Sequence, residues 1–204
     1  MQWLLANAPV DARWCLVHAT HMNAAETRAA AASGAAAGIC PSTEANLGDG
    51  VFDAIGWGDA HGHWGIGSDS HASVDVAEEL RSFEYSQRLT QQRRNVLASD
   101  KHPQVADQLW LAGASGGARA SGRTIGALTV GAQADFVVLD ASGALADLPP
   151  AQVLASHVFA SHGRGAVRDV WVAGQQCVAE GRHALEGTAC ARFVAARTQL
   201  LREV

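Results

Sequence analysis

Three times over, the chain sets a short apolar run against a following stretch of helix-forming residues, and that alternation restricts it to parallel βα construction. Arg13-Trp14-Cys15-Leu16-Val17-His18, Ala35 to Cys40 and His63-Trp64-Gly65-Ile66-Gly67 are the runs, each expected as a strand. Asn23 to Ser33, Val51 to Asp59 and Val74 to Ala98 follow them, each expected as a helix, and Met1 to Ala8 ends a helix closed by Pro9. In the long third helix the expected apolar positions are Val76, Leu80, Phe83, Leu89, Val96 and Leu97. All three strands are nearly all-apolar, as a sheet covered on both faces requires.

Polar residues gather just beyond the strands' C-terminal ends: His18 and His21, then Ser42 to Asp49, then Ser68 to His71. In parallel α/β architectures, and in (βα)8 barrels above all, sites are assembled from those loops. Composition narrows the function. With 48% hydrophobic residues and a net charge of −5 the chain collapses rather than staying disordered. The same mildly acidic balance excludes nucleic acid and anionic membrane as main partners. No apolar segment is long enough to span a bilayer, and the expected location is the cytoplasm. Cys15, Cys40, Cys177 and Cys190 form no C-x-x-C pair, so they are expected to be reduced and unligated.

Beyond a helix from about Gln104 to Ala114 and a Gly-rich turn at Gly113, Gly116 and Gly117, the texture changes. Thr124 to Gly131, Ala134 to Asp140 and Val167 to Gln175 read as β segments divided by glycine turns, without long helices between them. The expected organisation is a βα portion over 1–119, a small β module over 120–190 and a closing helix over 191–204.

His18 and Asp69 are the candidate catalytic residues, each placed at a strand's C-terminal end and aimed at one mouth. An aspartate there can ligate a divalent metal and take a proton from its water, and a nearby imidazole can orient that water. The alternatives at the same positions are a satisfied structural histidine and a helix N-cap aspartate. Cys40-Pro41-Ser42-Thr43-Glu44-Ala45-Asn46-Leu47-Gly48-Asp49-Gly50 reads as a polar loop in which Glu44 and Asn46 are the candidate substrate contacts. His61 and His63 have i, i+2 spacing but precede a strand, which favours a solvated turn.

Leu16-Val17-His18-Ala19-Thr20-His21, the Cys40 to Gly50 stretch, Gly65-Ile66-Gly67-Ser68-Asp69-Ser70-His71, and Glu78-Glu79-Leu80-Arg81 with Glu84-Tyr85-Ser86-Gln87-Arg88-Leu89 resemble the C-terminal part of the formimidoylglutamate deiminases. These are metal-dependent members of the amidohydrolase superfamily that act in histidine degradation. Gly126-Ala127-Leu128 and Gly131 to Phe136 resemble that superfamily's small β-sandwich. The resemblance implies an α/β fold: strands six to eight of a metal-dependent (βα)8 TIM barrel plus part of the β-sandwich. It implies hydrolysis of N-formimino-L-glutamate, a small-molecule substrate, to N-formyl-L-glutamate and ammonia, with zinc as the expected divalent metal. His18 matches the histidine that ends strand six, Asp69 matches the metal-ligating aspartate of strand eight, and Glu44 and Asn46 match a loop overhanging the site. His21 and His71 match positions near the mouth without a ligating role. The family's H-x-H, its further metal-binding histidine and its catalytic glutamate would lie upstream of Met1. Two other readings stay open: an inactive fragment that aggregates or forms a homodimer through its exposed edge, and a related deaminase, for example one acting on guanine.

Overall fold

A computed structural model describes residues 1–161 and 166–202. After helix α1 (Gln2–Asn7), the three apolar runs form β1 (Cys15–Val17), β2 (Ala36–Ile39) and β3 (His63–Ile66), paired in parallel in the order β1-β2-β3. Helices α2 (Ala24–Ala32), α3 (Pro41–Leu47), α4 (Ala54–Asp59) and α5 (Val76–Gln91) connect and follow them. Helix α2 starts on a capping box: the Asn23 side chain accepts from the Ala25 and Glu26 amides, and Glu26 reaches back to the Asn23 amide at 3.0 Å.

The sheet is covered less evenly than its apolar sequence predicts. β2 is buried along nearly its whole length, whereas Cys15 and Val17 of the edge strand β1 are exposed. Ala36 and Ala37 make β2 thin, and the bulk beside the sheet comes from an aromatic group: Phe52 on Trp57 at 5.5 Å and Trp64 on Phe83 at 4.9 Å between ring centroids, in edge-on contact.

Helix α6 (Val105–Ser121) corrects the expected Gly-rich turn, for Gly113, Gly116 and Gly117 lie inside it. Gly113 and Gly116 are there because α6 lies directly on β3. A Cβ at Gly116 would sit on the Trp64 carbonyl oxygen, and one at Gly65 would come within 3.0 Å of the Gly117 amide nitrogen. Helix propensity is sacrificed for backbone-to-backbone contact.

The long helix expected over 74–98 ends at Gln91, where Gln92 turns left-handed at φ +52°. Its buried face is partly polar. Glu84, fully buried, accepts from Arg88 at 2.7 Å and from the Val96 and Leu97 amides at 3.0 Å, so the segment beyond the helix folds back onto its carboxylate. Val76 and Leu89, expected in the core, are exposed.

The remainder forms an antiparallel sheet of β4 (Phe136–Leu139), β5 (Val167–Val172), β6 (Gln175–Ala179) and β7 (Arg182–His183) in sequence order. Thr124 to Gly131 is turn and bend rather than strand, because Gly126 and Gly131 adopt φ +81° and +91°. A helix does interrupt this module: α7 (Pro150–Ala160) starts on Pro150, and Arg81 holds its C-terminal end by donating to the Val158 and Ser161 carbonyls at 3.1 and 2.8 Å. Helix α8 (Glu186–Leu200) begins earlier than the expected Ala191 and buries no residue. Among the described residues, no helix is long and apolar enough to cross a membrane.

The two neighbouring helix glycines should therefore behave oppositely. Gly116→Ala is expected to cost about 1–3 kcal/mol, lowering Tm by roughly 2–10 °C. Gly117→Ala, whose Cβ meets nothing within 4 Å, should be neutral or stabilise by up to about 1 kcal/mol. Thermal unfolding of both variants checks this, and equal effects would contradict the packing of α6 on β3.

Candidate active site

At the C-terminal end of β1 the ladder gains one more bond, from the His18 amide to the Gly38 carbonyl at 2.8 Å. The chain then turns away through φ +61° at His18 and +52° at Ala19. Left-handed backbone on residues other than glycine costs about 1–3 kcal/mol each and persists only where surroundings enforce it. Beyond β3 the Gly67 amide bonds the Ile39 carbonyl at 3.0 Å, and Asp69 follows with φ +48°. Both candidate catalytic residues thus sit in strained backbone at strand ends.

Between them stands α3, where the sequence predicts a loop. Pro41 occupies its first turn, the chain leaves it through Gly48 at φ +72°, and Pro41, Ser42, Thr43 and Glu44 are buried. Each of the three polar side chains takes a different neighbour. Ser42 gives its amide to Glu79 of α5 at 2.9 Å and its hydroxyl to the other oxygen of the same carboxylate. Thr43 donates to the Ser68 carbonyl at 2.6 Å and accepts from the His71 amide at 3.1 Å, which pins the turn that carries Asp69. Glu44 accepts from the Cys40 amide at 2.8 Å, and the same Oε1 lies 3.2 Å from His18 Nδ1.

Glu44 accordingly stands in a helix rather than in the expected loop. It lies 5% exposed beneath His18, and burial pushes its pKa up against the pull of the Cys40 amide and of His18. Asn46 is exposed. A cavity of about 360 Å³ opens beside His18, bounded by Met1, Thr20, His21, Met22 and Asp49; Asp69 does not line it. His71 serves its own turn, its Nδ1 accepting from the Ser73 amide at 3.2 Å. His61 is exposed, and His63 is the first residue of β3.

Cys40 is the site residue that spacing alone does not single out. It is buried, and its Sγ, a His18 ring nitrogen and a Glu44 oxygen lie within 4.8 Å of one another. Burial, reinforced by the charges of Glu44, Asp69 and Glu79, pushes its thiol up to about 11. The available signal is positional, since Cys40 ends the second apolar run as His18 ends the first.

The donors divide by their fitness for a divalent metal. Burial holds Cys40 as a thiol and Glu44 Oε1 is engaged by the Cys40 amide and His18, so the His18, Cys40, Glu44 group would take a divalent metal only with loss of the thiol proton. The Asp69 carboxylate is exposed and has no hydrogen bond or ion pair among the described residues, which fits one oxygen ligand.

The Amidohydrolase family model matches residues 5–177. Over 201 residues the chain is 48% identical to a formimidoylglutamate deiminase of Pseudomonas aeruginosa, covering 98% of this chain and 44% of that protein. It is similar in structure to an amidohydrolase from Brucella melitensis, with TM-score 0.90 and 45% identity over 98% of this chain and 44% of the other. An adenosine deaminase from Xanthomonas campestris with bound zinc superimposes with TM-score 0.80 at 29% identity, covering 96% of this chain and 44% of that one. The chain thus spans less than half the length of each of these relatives.

With a thiol pKa of about 11, only about one Cys40 in a thousand is thiolate at pH 8. Ellman's reagent at that pH should modify exposed Cys190 in the native chain and leave Cys40 untouched until denaturant is added. Peptide mass spectrometry that finds Cys40 modified as fast as Cys190 would contradict this environment.

Proposed function

Because the chain belongs to the amidohydrolase family, we propose that it carries the His18 and Asp69 part of an active site that hydrolyses N-formimino-L-glutamate to N-formyl-L-glutamate and ammonia. The observation that carries the reading is the placement of these two residues in left-handed backbone beyond the ends of parallel strands. Identity of 48% to a formimidoylglutamate deiminase supports the substrate. In this reading β1, β2 and β3 are strands six, seven and eight of a (βα)8 barrel, and the antiparallel sheet is part of a small β-sandwich.

A divalent metal bound at these strand ends, zinc in the Xanthomonas relative, would supply a water with its pKa brought toward neutrality. Asp69 would hold it through one carboxylate oxygen and would take a proton from its water, which a carboxylate that is exposed and unpartnered among the described residues is free to do. His18 would steady the adding oxygen from the end of β1. The formimino carbon gains oxygen and loses its terminal nitrogen as ammonia. A second reading, deamination of a purine ring, draws on the 29% identity to an adenosine deaminase.

Asp69 offers one ligand, and a catalytic zinc takes about three from protein. Purified alone, the 204-residue chain is expected to hold no stoichiometric zinc and to release no ammonia. Metal analysis with an ammonia assay checks this, and turnover would contradict it. Grafted in place of the matching segment of the Pseudomonas enzyme, the chain should turn over N-formimino-L-glutamate, and Asp69→Asn should lower kcat by roughly 10²–10⁴-fold. A graft that deaminates adenosine or guanine and leaves formiminoglutamate untouched would replace the substrate assignment.

A further inference from the structure

We propose that Glu44 is a positioning residue that receives the Nδ1 hydrogen of His18, fixing the ring's tautomer and orientation and leaving Nε2 as the nitrogen that acts at the mouth. The part concerning Nε2 rests on the reading of His18 as an active-site residue; the tautomer does not.

The geometry assigns donor and acceptor. Oε1 accepts from the Cys40 amide at 2.8 Å, and because an ionised carboxylate can only accept, the hydrogen of its 3.2 Å contact with His18 comes from the ring's Nδ1. That leaves Nε2 without a hydrogen in the neutral ring.

The carboxylate cannot swing away to find water. Glu44 is 5% exposed, and the residues before it are tied down, Thr43 to the Ser68 carbonyl and Ser42 to Glu79. His18 is held from its other end, by its amide bond to Gly38 and its left-handed backbone. With its side chain 32% exposed, one part of the ring lies against Glu44 and the rest borders the cavity.

A purely structural task for Glu44 would be to cap α3 by accepting the Cys40 amide. Such a cap adds little to a helix, whereas burying a carboxyl group without good partners costs more than the cap returns. Reach to a second partner, the imidazole, is what the glutamate adds, and it resembles the way buried carboxylates orient the ring of a functional histidine from behind.

The test is long-range ¹H–¹⁵N correlation of the histidine rings, assigned by His18→Gln, at a pH where the imidazole is neutral. The native chain should show His18 with its hydrogen on Nδ1. Glu44→Gln keeps an acceptor oxygen and should retain that pattern; Glu44→Leu should lose it in favour of the Nε2–H form. A native spectrum with the Nε2–H form overturns the proposal without any variant, as does a folded Glu44→Leu protein that keeps the Nδ1–H form. In the graft into the Pseudomonas enzyme, Glu44→Leu should lower kcat about 10–100-fold with KM within about twofold, and Glu44→Gln should recover most of it. If the tautomer follows Glu44 while kcat does not move, the positioning stands and the placement of His18 in the active site falls.

Discussion

Three consecutive polar side chains, buried in the first turn of α3, hold the strand ends in register. Ser42 reaches α5, Thr43 reaches the turn after β3, and Glu44 reaches back under β1. Polar groups buried at this depth are tolerable only when each is satisfied, and among the described residues no buried side-chain nitrogen or oxygen lacks a partner. The consequence is geometric. A strand end is ordinarily where backbone order decays into loop, and here the next turn of each unit is stitched to its neighbours by side chains.

That stitching explains two features the hydrophobic effect alone does not. The backbone strain at His18, Ala19 and Asp69 needs a rigid surround, which the hydrogen bonds of Glu44 and Thr43 supply. The polar residues on the inward face of α5 also acquire a reason. Glu79 exists to receive Ser42, Gln87 to bond the Phe52 carbonyl at 3.0 Å, and Glu84 to gather the returning amides of Val96 and Leu97. Apolar packing, through the Phe52, Trp57, Trp64 and Phe83 rings and the glycine contact of β3 with α6, then needs only to bring the layers together.

Much of the architecture is legible in the residues, and the illegible parts share a cause. The three apolar runs, their parallel order and the placement of His18 and Asp69 follow from period and position, because strand burial is local information. Helix α3 reads as loop since it is short, polar and followed at once by Gly48 and Gly50, although Pro41 at the first helical position is a start signal. Helix α6 reads as ending in a turn since Gly113 and Gly116 answer to β3, a partner roughly fifty residues earlier, and not to the helix they occupy. Helix α5 reads as too long because the residues that stop it act through Glu84, across a chain reversal. The pairing of Glu44 with His18 is likewise a contact between units, invisible until the strands are aligned.

The site depends most directly on the rigidity of that junction. Native-state amide hydrogen exchange of the chain reads it bond by bond. The amides of Cys40, Ser42 and Gly67, bonded to Glu44, Glu79 and the Ile39 carbonyl, should exchange as slowly as that of Ala37 in the core of β2. Exchange at loop rates for these three while Ala37 stays protected would contradict it, for the strand ends would then be free and the site unsupported.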